Sequence, residues 1–503
     1  MSPVDDLVVG LDCSTHGAKA IAWDPSGTPV AEGRSSYELS SPHPGWYEQD
    51  PRAWSRAAVD ALAQIGRSVG HRVRAVALTN QRETIAALDD DAQPLRPAIV
   101  WMDERARSEV GLLLADVGPE RFHRTTGKPL DLTPSISKIL WVRRHEPEVF
   151  SRAARWVDVQ ACVARALTGL DVTSVGAADP TGLIDITRGD WSDDLLAACG
   201  LGRDRVPRLV PSGGIAGPLL HEVTSATGLG QGIPVVLTAG DGQTAAVGAG
   251  IDALRSAYLN LGTAIVSGTI GSTPLFDRAF RTMSGAVPGT FLFESDLKGG
   301  TFTVDWLCSR VLQGASSPAS LERDAALLAP GSDGLLLLPY FAGVMNPYWD
   351  DDARGALVGL RGNHGPAHIF RAILEGIAME LRLHLSEIER ATASPIERVH
   401  AVGGGASSAL WCQILADVLR RPIFRSRSTE ASSLGAAVLG MVAVGLLRDT
   451  NDAVRAMTRL EPAAEPGAHA PRYAALCEVF AKLYPSLRQT FSDLAFIVGS
   501  AAS

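Results

Sequence analysis

Short apolar runs separated by turn residues open the chain, and a helical stripe follows them. Leu7–Cys13, Ala18–Asp24 and Val30–Leu39 predict three short strands, with Asp24–Gly27 (DPSG) supplying the turn dihedrals between the last two. Asp50 and Pro51 then predict a helix start, and Trp54, Ala57, Ala58, Ala61, Leu62 and Ile65 fall on one side of the helix that follows. Arg74–Thr79, Thr84–Leu88 and Ile99–Trp101 read as further strands.

A similar order returns later. Ala257–Leu261, Ala264–Thr269 and Thr290–Glu294 are strand-like, and helices are expected near 301–314 and 319–329. A strand at Leu335–Tyr340, a long helix from Pro366, a strand at Val399–Val402 and helices from Ser408 and Glu430 complete the pattern. Three antiparallel strands leading into helix–strand alternation is the ribonuclease-H-like order, here expected twice with a cleft between. The boundary is placed near Gly248–Gly250, giving halves 1–249 and 250–503. Pro462–Pro471 reads as a surface linker, and the tail after Gly467 as helical through Leu487.

At 503 residues the chain exceeds the roughly 250–300 at which single cores stop growing, so two domains are the minimum. A formal charge of −9 argues against nucleic acid as a partner, since counterion displacement needs clustered Lys and Arg. The six cysteines are scattered without a CxxC pair and read as reduced thiols of a cytoplasmic protein. Met1–Asp6 holds two acids and no basic region, so no signal peptide is expected. No apolar run approaches bilayer length, which argues against a membrane partner.

Chemistry concentrates at a few motifs. GLDCSTHGAK (Gly10–Lys19) places Asp12 at the end of a buried strand before a tight polar hairpin, a geometry that suits phosphate and metal. AVGGGASSALWCQILADVL (Ala401–Leu419) ends a strand in three glycines, which let backbone lie against a flat group, before a helix opened by Ser408. TAGDGQTAAVGAG (Thr238–Gly250) sets Asp241 between glycines at a strand-to-helix turn, where a helix N-cap is the plain structural use of such a residue. Arg82 and Glu83 in TNQRETIAAL, together with Trp101 and Asp103 in IVWMDERAR, offer donors, acceptors and an aromatic face to a polyhydroxylated ligand. An ion pair between Arg82 and Glu83 is their structural alternative. His364 and His368 have a zinc-like spacing, but Pro366 interrupts the turn and no acid lies between them.

These motifs, with GALVGLRGNHGPAHIFRAILE (Gly355–Glu375), resemble the FGGY carbohydrate kinases from Leu7 to about Leu447 and in the same order. The resemblance implies two ribonuclease-H-like α/β domains in the actin-like ATPase architecture, and phosphorylation of a sugar or polyol by ATP with Mg²⁺. It implies that Asp12 orients the metal and that Ser14, Thr15 and Lys19 belong to a first phosphate loop, although Ser14 stands where glycine is usual. Gly262 and Thr263 in NLGTAIVSG match a second phosphate loop. Gly404, Gly405 and Ser408 match the adenosine motif, and EASSLGAAVLG (Glu430–Gly440) the small-residue helix beyond it. Asp241 matches the catalytic base, while Arg82, Glu83, Trp101 and Asp103 match substrate contacts. It also allows a homodimer.

The substrate signals conflict. NQRE is the form seen in glycerol kinases, whereas a tyrosine those enzymes use falls here on Thr133. DPTGLID (Asp179–Asp185), LNLGTA and GGGASS look more like pentulose kinases, and Gly343-Val344-Met345 departs from the usual Gly-Glu-Arg. A ketopentose such as D-xylulose is the leading expectation, and glycerol or another short polyol the runner-up. A catalytically silent actin-like ATP-binding protein or a sugar-responsive regulator is the alternative from another class, which the presence of both Asp12 and Asp241 argues against.

Overall fold

The computed structural model describes residues 6–251 and 255–500. Its framework is two mixed sheets. In the first, Leu7–Cys13 pairs antiparallel with Gly17–Trp23, which pairs antiparallel with Pro29–Ser36. On its other side Leu7–Cys13 runs parallel to Val73–Asn80, then Pro234–Gly240, and Gly214–Pro218 closes that edge. In the second sheet Ser256–Leu261 has the same position, pairing antiparallel with Ile265–Gly271, which in turn pairs antiparallel with Phe291–Leu297. It runs parallel to Arg398–Val402, then Ile423–Ser426. Most strands expected from sequence fall on these elements with ends shifted by up to three residues, while Thr84–Leu88, Ile99–Trp101 and Leu335–Tyr340 fall on Ala86–Leu88, Ala98–Ile99 and Leu336–Leu338 of separate two-stranded sheets. Sequence analysis did not foresee the outer strands Arg281–Ser284 and Leu460–Ala464 of the second sheet.

Helix Pro51–Val69 covers the first sheet as its stripe requires. Asp50 caps it by accepting from the Arg52 N–H, and Trp54, Ala57, Ala58, Ala61, Leu62 and Ile65 are all buried. A third core, built around Phe122, Ile139, Trp141 and Trp156, belongs to the short helices and strands between Ile85 and Val206. The sequence reading did not separate this unit, which carries Trp101 and Asp103.

The halves are joined by helix Ala431–Ala443, which is apolar on nearly all sides and is accordingly buried. Although it lies beyond residue 250, its Leu434, Ala436, Ala437 and Val438 pack with Val8, Ala75, Ala77 and Val236 of the first sheet. Backbone passes close to backbone there: a methyl group on Gly435 would lie 2.0 Å from the Thr244 carbonyl oxygen.

Two expectations are corrected in the tail. Leu460–Ala464 is a strand rather than linker, since it pairs antiparallel with Ile423–Ser426. Helix also runs on as Leu483–Ser500, past the expected end at Leu487. The conspicuous Gly355–Glu375 segment anchors this tail. Glu375, buried on helix Pro366–Thr392, accepts from Gly331 N, the Ser332 hydroxyl, Arg371 Nε and the Tyr473 hydroxyl. His364 and His368 each accept from a backbone N–H, of Arg361 and Gly365. Among the described residues no helix is long and apolar enough to cross a membrane.

Candidate active site

Asp12 ends the central strand of the first sheet, where the chain must turn. Its Oδ1 is buried and has no hydrogen-bond partner. Burial, reinforced by the negative charge of Asp241 and opposed by Lys19, pushes its pKa up to about 8. A partnerless buried carboxylate oxygen calls for a cation, because ionisation without one is costly. Among the described residues no group of three or more His, Cys, Asp or Glu could cage a metal. Mg²⁺ suits such a place, as it is commonly held by one or two carboxylates, water and substrate phosphate.

The hairpin after Asp12 is tightly bound. Ser14 N–H and hydroxyl both donate to Gly17 O at 3.0 Å, and the Tyr37 hydroxyl donates to Ser14 O. Thr15 accepts on its hydroxyl from Trp101 Nε1 at 3.0 Å and on its carbonyl from Gln49 Nε2 at 2.6 Å. Lys19 is turned to Glu430 at 2.7 Å, beside the start of the joining helix.

On the second sheet, Gly262 and Thr263 form the hairpin after Ser256–Leu261, and the Gly262 carbonyl accepts from Thr301 N at 3.0 Å. The three glycines after Arg398–Val402 differ in their surroundings. A methyl on Gly405 would meet the Trp411 ring at 2.5 Å, whereas one on Gly404 would meet nothing within 4 Å. Gly404 therefore presents bare backbone to open space, and Gly405 lets the turn pack onto the second core. Ser408 caps helix Ala409–Leu419 through the Trp411 N–H and donates to Glu322 at 2.6 Å.

Asp241 begins helix Asp241–Gly248 at the end of strand Pro234–Gly240, and its side chain is 38% exposed. The Gly242 N–H donates to its Oδ1 at 2.8 Å, and Arg82 Nε approaches the same oxygen at 3.3 Å. Loss of water around the carboxylate raises its pKa, and Arg82 opposes that rise. The flanking glycines are steric necessities: a methyl on Gly240 would lie 2.4 Å from Arg82 Cγ, and one on Gly242 2.9 Å from Glu294 Oε2.

Arg82 and Glu83, neighbours in sequence, do not pair with each other. They make crossed ion pairs to the second half, Arg82 with Glu294 at 2.8 Å and Glu83 with Arg281 at 3.2 Å. Arg281 also binds Glu294 at 2.6 Å and Asp296. Glu83 has φ of +55°, in the left-handed region that non-glycine residues seldom adopt. Burial pushes it up to about 7 against the pull of Arg82 and Arg281. Trp101 is half-buried, with its backbone N–H on the Thr84 hydroxyl. Asp103 faces inward instead: the Arg105 guanidinium binds both of its oxygens, at 2.9 and 2.8 Å, and the N–H groups of Arg105 and Tyr47 add further donors.

The structure thus links Arg82, Glu83 and Asp241 through Glu294 and Arg281, sets Asp12 within electrostatic reach of Asp241, links Trp101 to Thr15, and leaves Asp103 bound behind them by Arg105. Sequence reasoning missed Glu294, Arg281 and Asp296, which lie on two strands with no recognisable motif. Alternate charges on neighbouring buried strands were the only available signal.

Two ribonuclease-H-like sheets, a carboxylate at each of two strand ends and bare glycine backbone opposite define a two-domain α/β nucleotide-dependent phosphotransferase. The model of the FGGY family of carbohydrate kinases, N-terminal domain, matches residues 7–248, and that of the C-terminal domain matches 257–444. The chain belongs to the FGGY family and is an ATP-dependent carbohydrate kinase. It is 32% identical over 490 residues to a xylulose kinase of Escherichia coli, covering 96% of this chain and 99% of that one. A glycerol kinase of Alkalilimnicola ehrlichii is also 32% identical, over 472 residues covering 90% and 94% of the two chains. The crystal structure of a xylulose kinase from Rhodospirillum rubrum superposes with a TM-score of 0.89 at 31% identity, covering 97% of this chain and 100% of that one.

Proposed function

We propose that the chain, in two functional halves divided at residues 249 and 250, transfers the γ-phosphate of ATP to a hydroxyl of a ketopentose. D-xylulose, giving xylulose 5-phosphate, is the leading candidate. Asp241 accepts the proton of the attacking hydroxyl, the new bond forms from that oxygen to the γ-phosphorus, and ADP leaves with the bridging oxygen. Phosphoryl transfer asks the protein mainly for alignment and charge stabilisation. Asp12 would hold Mg²⁺, which neutralises charge on the phosphates when bound. Gly262, Thr263 and Gly404 offer backbone to the nucleotide, while Arg82, Glu83 and Trp101 line the sugar side.

The observation that carries the pentulose reading is the room beside position 133. The Thr133 hydroxyl turns back to Asp131 Oδ2 at 3.0 Å, and its neighbours Asp131 and Leu132 line a cavity of about 110 Å³ with Arg107, Leu130, Met345 and Trp349. Xylulose kinases among the relatives match nearly end to end, which supports the same reading. The glycerol reading is favoured by NQRE and by the glycerol kinase relative. An ADP-release screen over three- to seven-carbon polyols and ketoses, run on wild type and Asp241→Asn, tests the proposal. Turnover of no pentulose, or full turnover by Asp241→Asn, would overturn it.

A further inference from the structure

Glu294 is fully buried, on strand Phe291–Leu297 of the second sheet. It accepts from Arg82 Nη1 on both oxygens, at 2.8 and 2.9 Å, and also from Arg281 Nη2 at 2.6 Å and the Tyr258 hydroxyl at 3.3 Å. Arg82 is thereby divided between two carboxylates, with Nη1 on Glu294 and Nε on Asp241. Both contacts to the Asp241 carboxylate fall on Oδ1, from Arg82 Nε and the Gly242 N–H. Among the described residues no hydrogen bond reaches its Oδ2.

Guanidinium and carboxylate prefer a two-pronged pairing that engages both oxygens. Without Glu294, Arg82 could turn its fork fully onto Asp241 and occupy the oxygen that an incoming hydroxyl needs. Glu294 opposes that by taking Nη1, and the glycines at 240 and 242 give Arg82 the space to lie flat in this pose.

We propose that Glu294 is a positioning residue for phosphoryl transfer: reaching across from the second half, it holds Arg82 so that only Nε faces Asp241, leaving Oδ2 open to the substrate hydroxyl. This rests on the reading of Asp241 as the base. The proton of the hydroxyl passes to Oδ2 as its oxygen bonds the γ-phosphorus and ADP departs. Since Arg82 and Asp241 come from the first half and Glu294 from the second, the base is framed only while the halves are together.

The test is a double-mutant cycle in the full chain, with ATP and whichever of D-xylulose and glycerol turns over faster. Glu294→Gln should remain folded by thermal melt, keep its KM for ATP within about twofold, and lose about 10²-fold in kcat through misplacement of the base. In an Arg82→Ala background the same change should cost less than about twofold more, because Glu294 acts through Arg82. A purely structural acid would give losses that multiply in the double variant, and that result overturns the proposal. So does a kcat within about threefold of wild type in folded Glu294→Gln. If that variant does not fold, Glu294→Asp, which keeps the charge but retracts it, replaces it under the same two criteria. Full activity of Asp241→Asn would instead remove the base reading, whatever Glu294 does.

Discussion

The Trp101 indole Nε1 donates to the Thr15 hydroxyl at 3.0 Å, joining the aromatic wall of the sugar side to the loop that follows Asp12. The two segments come from different units, the first sheet and the smaller core between Ile85 and Val206. If Trp101 faces the sugar and Thr15 the phosphate, as proposed, the two ligands are coupled through a single bond. Trp101→Phe keeps the aromatic face and removes the donor. One such bond contributes about 0.5–1.5 kcal/mol, so kcat/KM should fall by roughly 2- to 10-fold. Steady-state kinetics should show KM rising for both ATP and sugar. A rise for the sugar alone would mean that the indole only packs.

Close packing between the halves gives a second expectation. A methyl group on Gly10 would lie 2.0 Å from the Ser433 carbonyl oxygen, and the Ser433 hydroxyl donates to Gly10 O at 2.9 Å. The obstacle is backbone, so it cannot swing aside as a side-chain tip would. Gly10→Ala should lower stability by about 1–3 kcal/mol, the usual range for overpacking, or more if the joining helix is displaced. Chemical denaturation of the purified variant measures this. A midpoint equal to wild type would mean that the joining helix gives way at no cost.

Much of this architecture could be read from the chain, and the reason is local. Leu7–Cys13 and helix Pro51–Val69 declare themselves because one face of each is buried and its period shows. Asp12 and Asp241 stood out because each falls at a strand end inside a family-like motif, GLDCSTHGAK and TAGDGQTAAVGAG, although a helix N-cap was the plain alternative for Asp241. The crossed pairs Arg82–Glu294 and Glu83–Arg281 were not legible. They join residues about 200 positions apart, and no periodicity encodes such a contact. Asp103 misled for a different reason: Arg105, two residues on, takes up a carboxylate that looked free in sequence. The tail was underestimated because its last helix is half-exposed and lacks a clean stripe.

Glu83 sets a pH expectation. Burial is the larger influence and raises its pKa from 4.5 to about 7, with Arg82 and Arg281 pulling the other way. A folded-state pKa above the unfolded value means that the folded protein binds more protons between the two. The contribution of this carboxyl to stability is then fully present below about pH 4.5 and is lost as pH rises through about 7. Glu83→Gln cannot titrate. The stability of the variant minus that of wild type should therefore increase from pH 5 to about 7 and level off above it. Paired melts across that range provide the readout. A flat difference would place the Glu83 pKa at or below its ordinary value, with Arg82 and Arg281 offsetting burial.

The choice of sugar carries the most consequence. Thr133 is short, and its N–H and hydroxyl are both engaged by Asp131, at 2.9 and 3.0 Å. It is shorter than a tyrosine, and its neighbours Asp131 and Leu132 line a cavity with Met345 and Trp349. On the proposed reading, a five-carbon ketose extends toward this side with its reacting hydroxyl at Asp241. A three-carbon polyol cannot, and each buried polar group it leaves unpaired costs about 1–3 kcal/mol. The value of kcat/KM for D-xylulose should accordingly exceed that for glycerol by at least about tenfold, equivalent to about 1.4 kcal/mol. Thr133→Tyr should narrow the gap by hindering the longer substrate while sparing the shorter one. Both substrates, assayed with both proteins at the same ATP and Mg²⁺, decide the matter. Preference for glycerol in the wild type would mean that Arg82 and Glu83 govern selection and that the space beside Thr133 is not used by substrate.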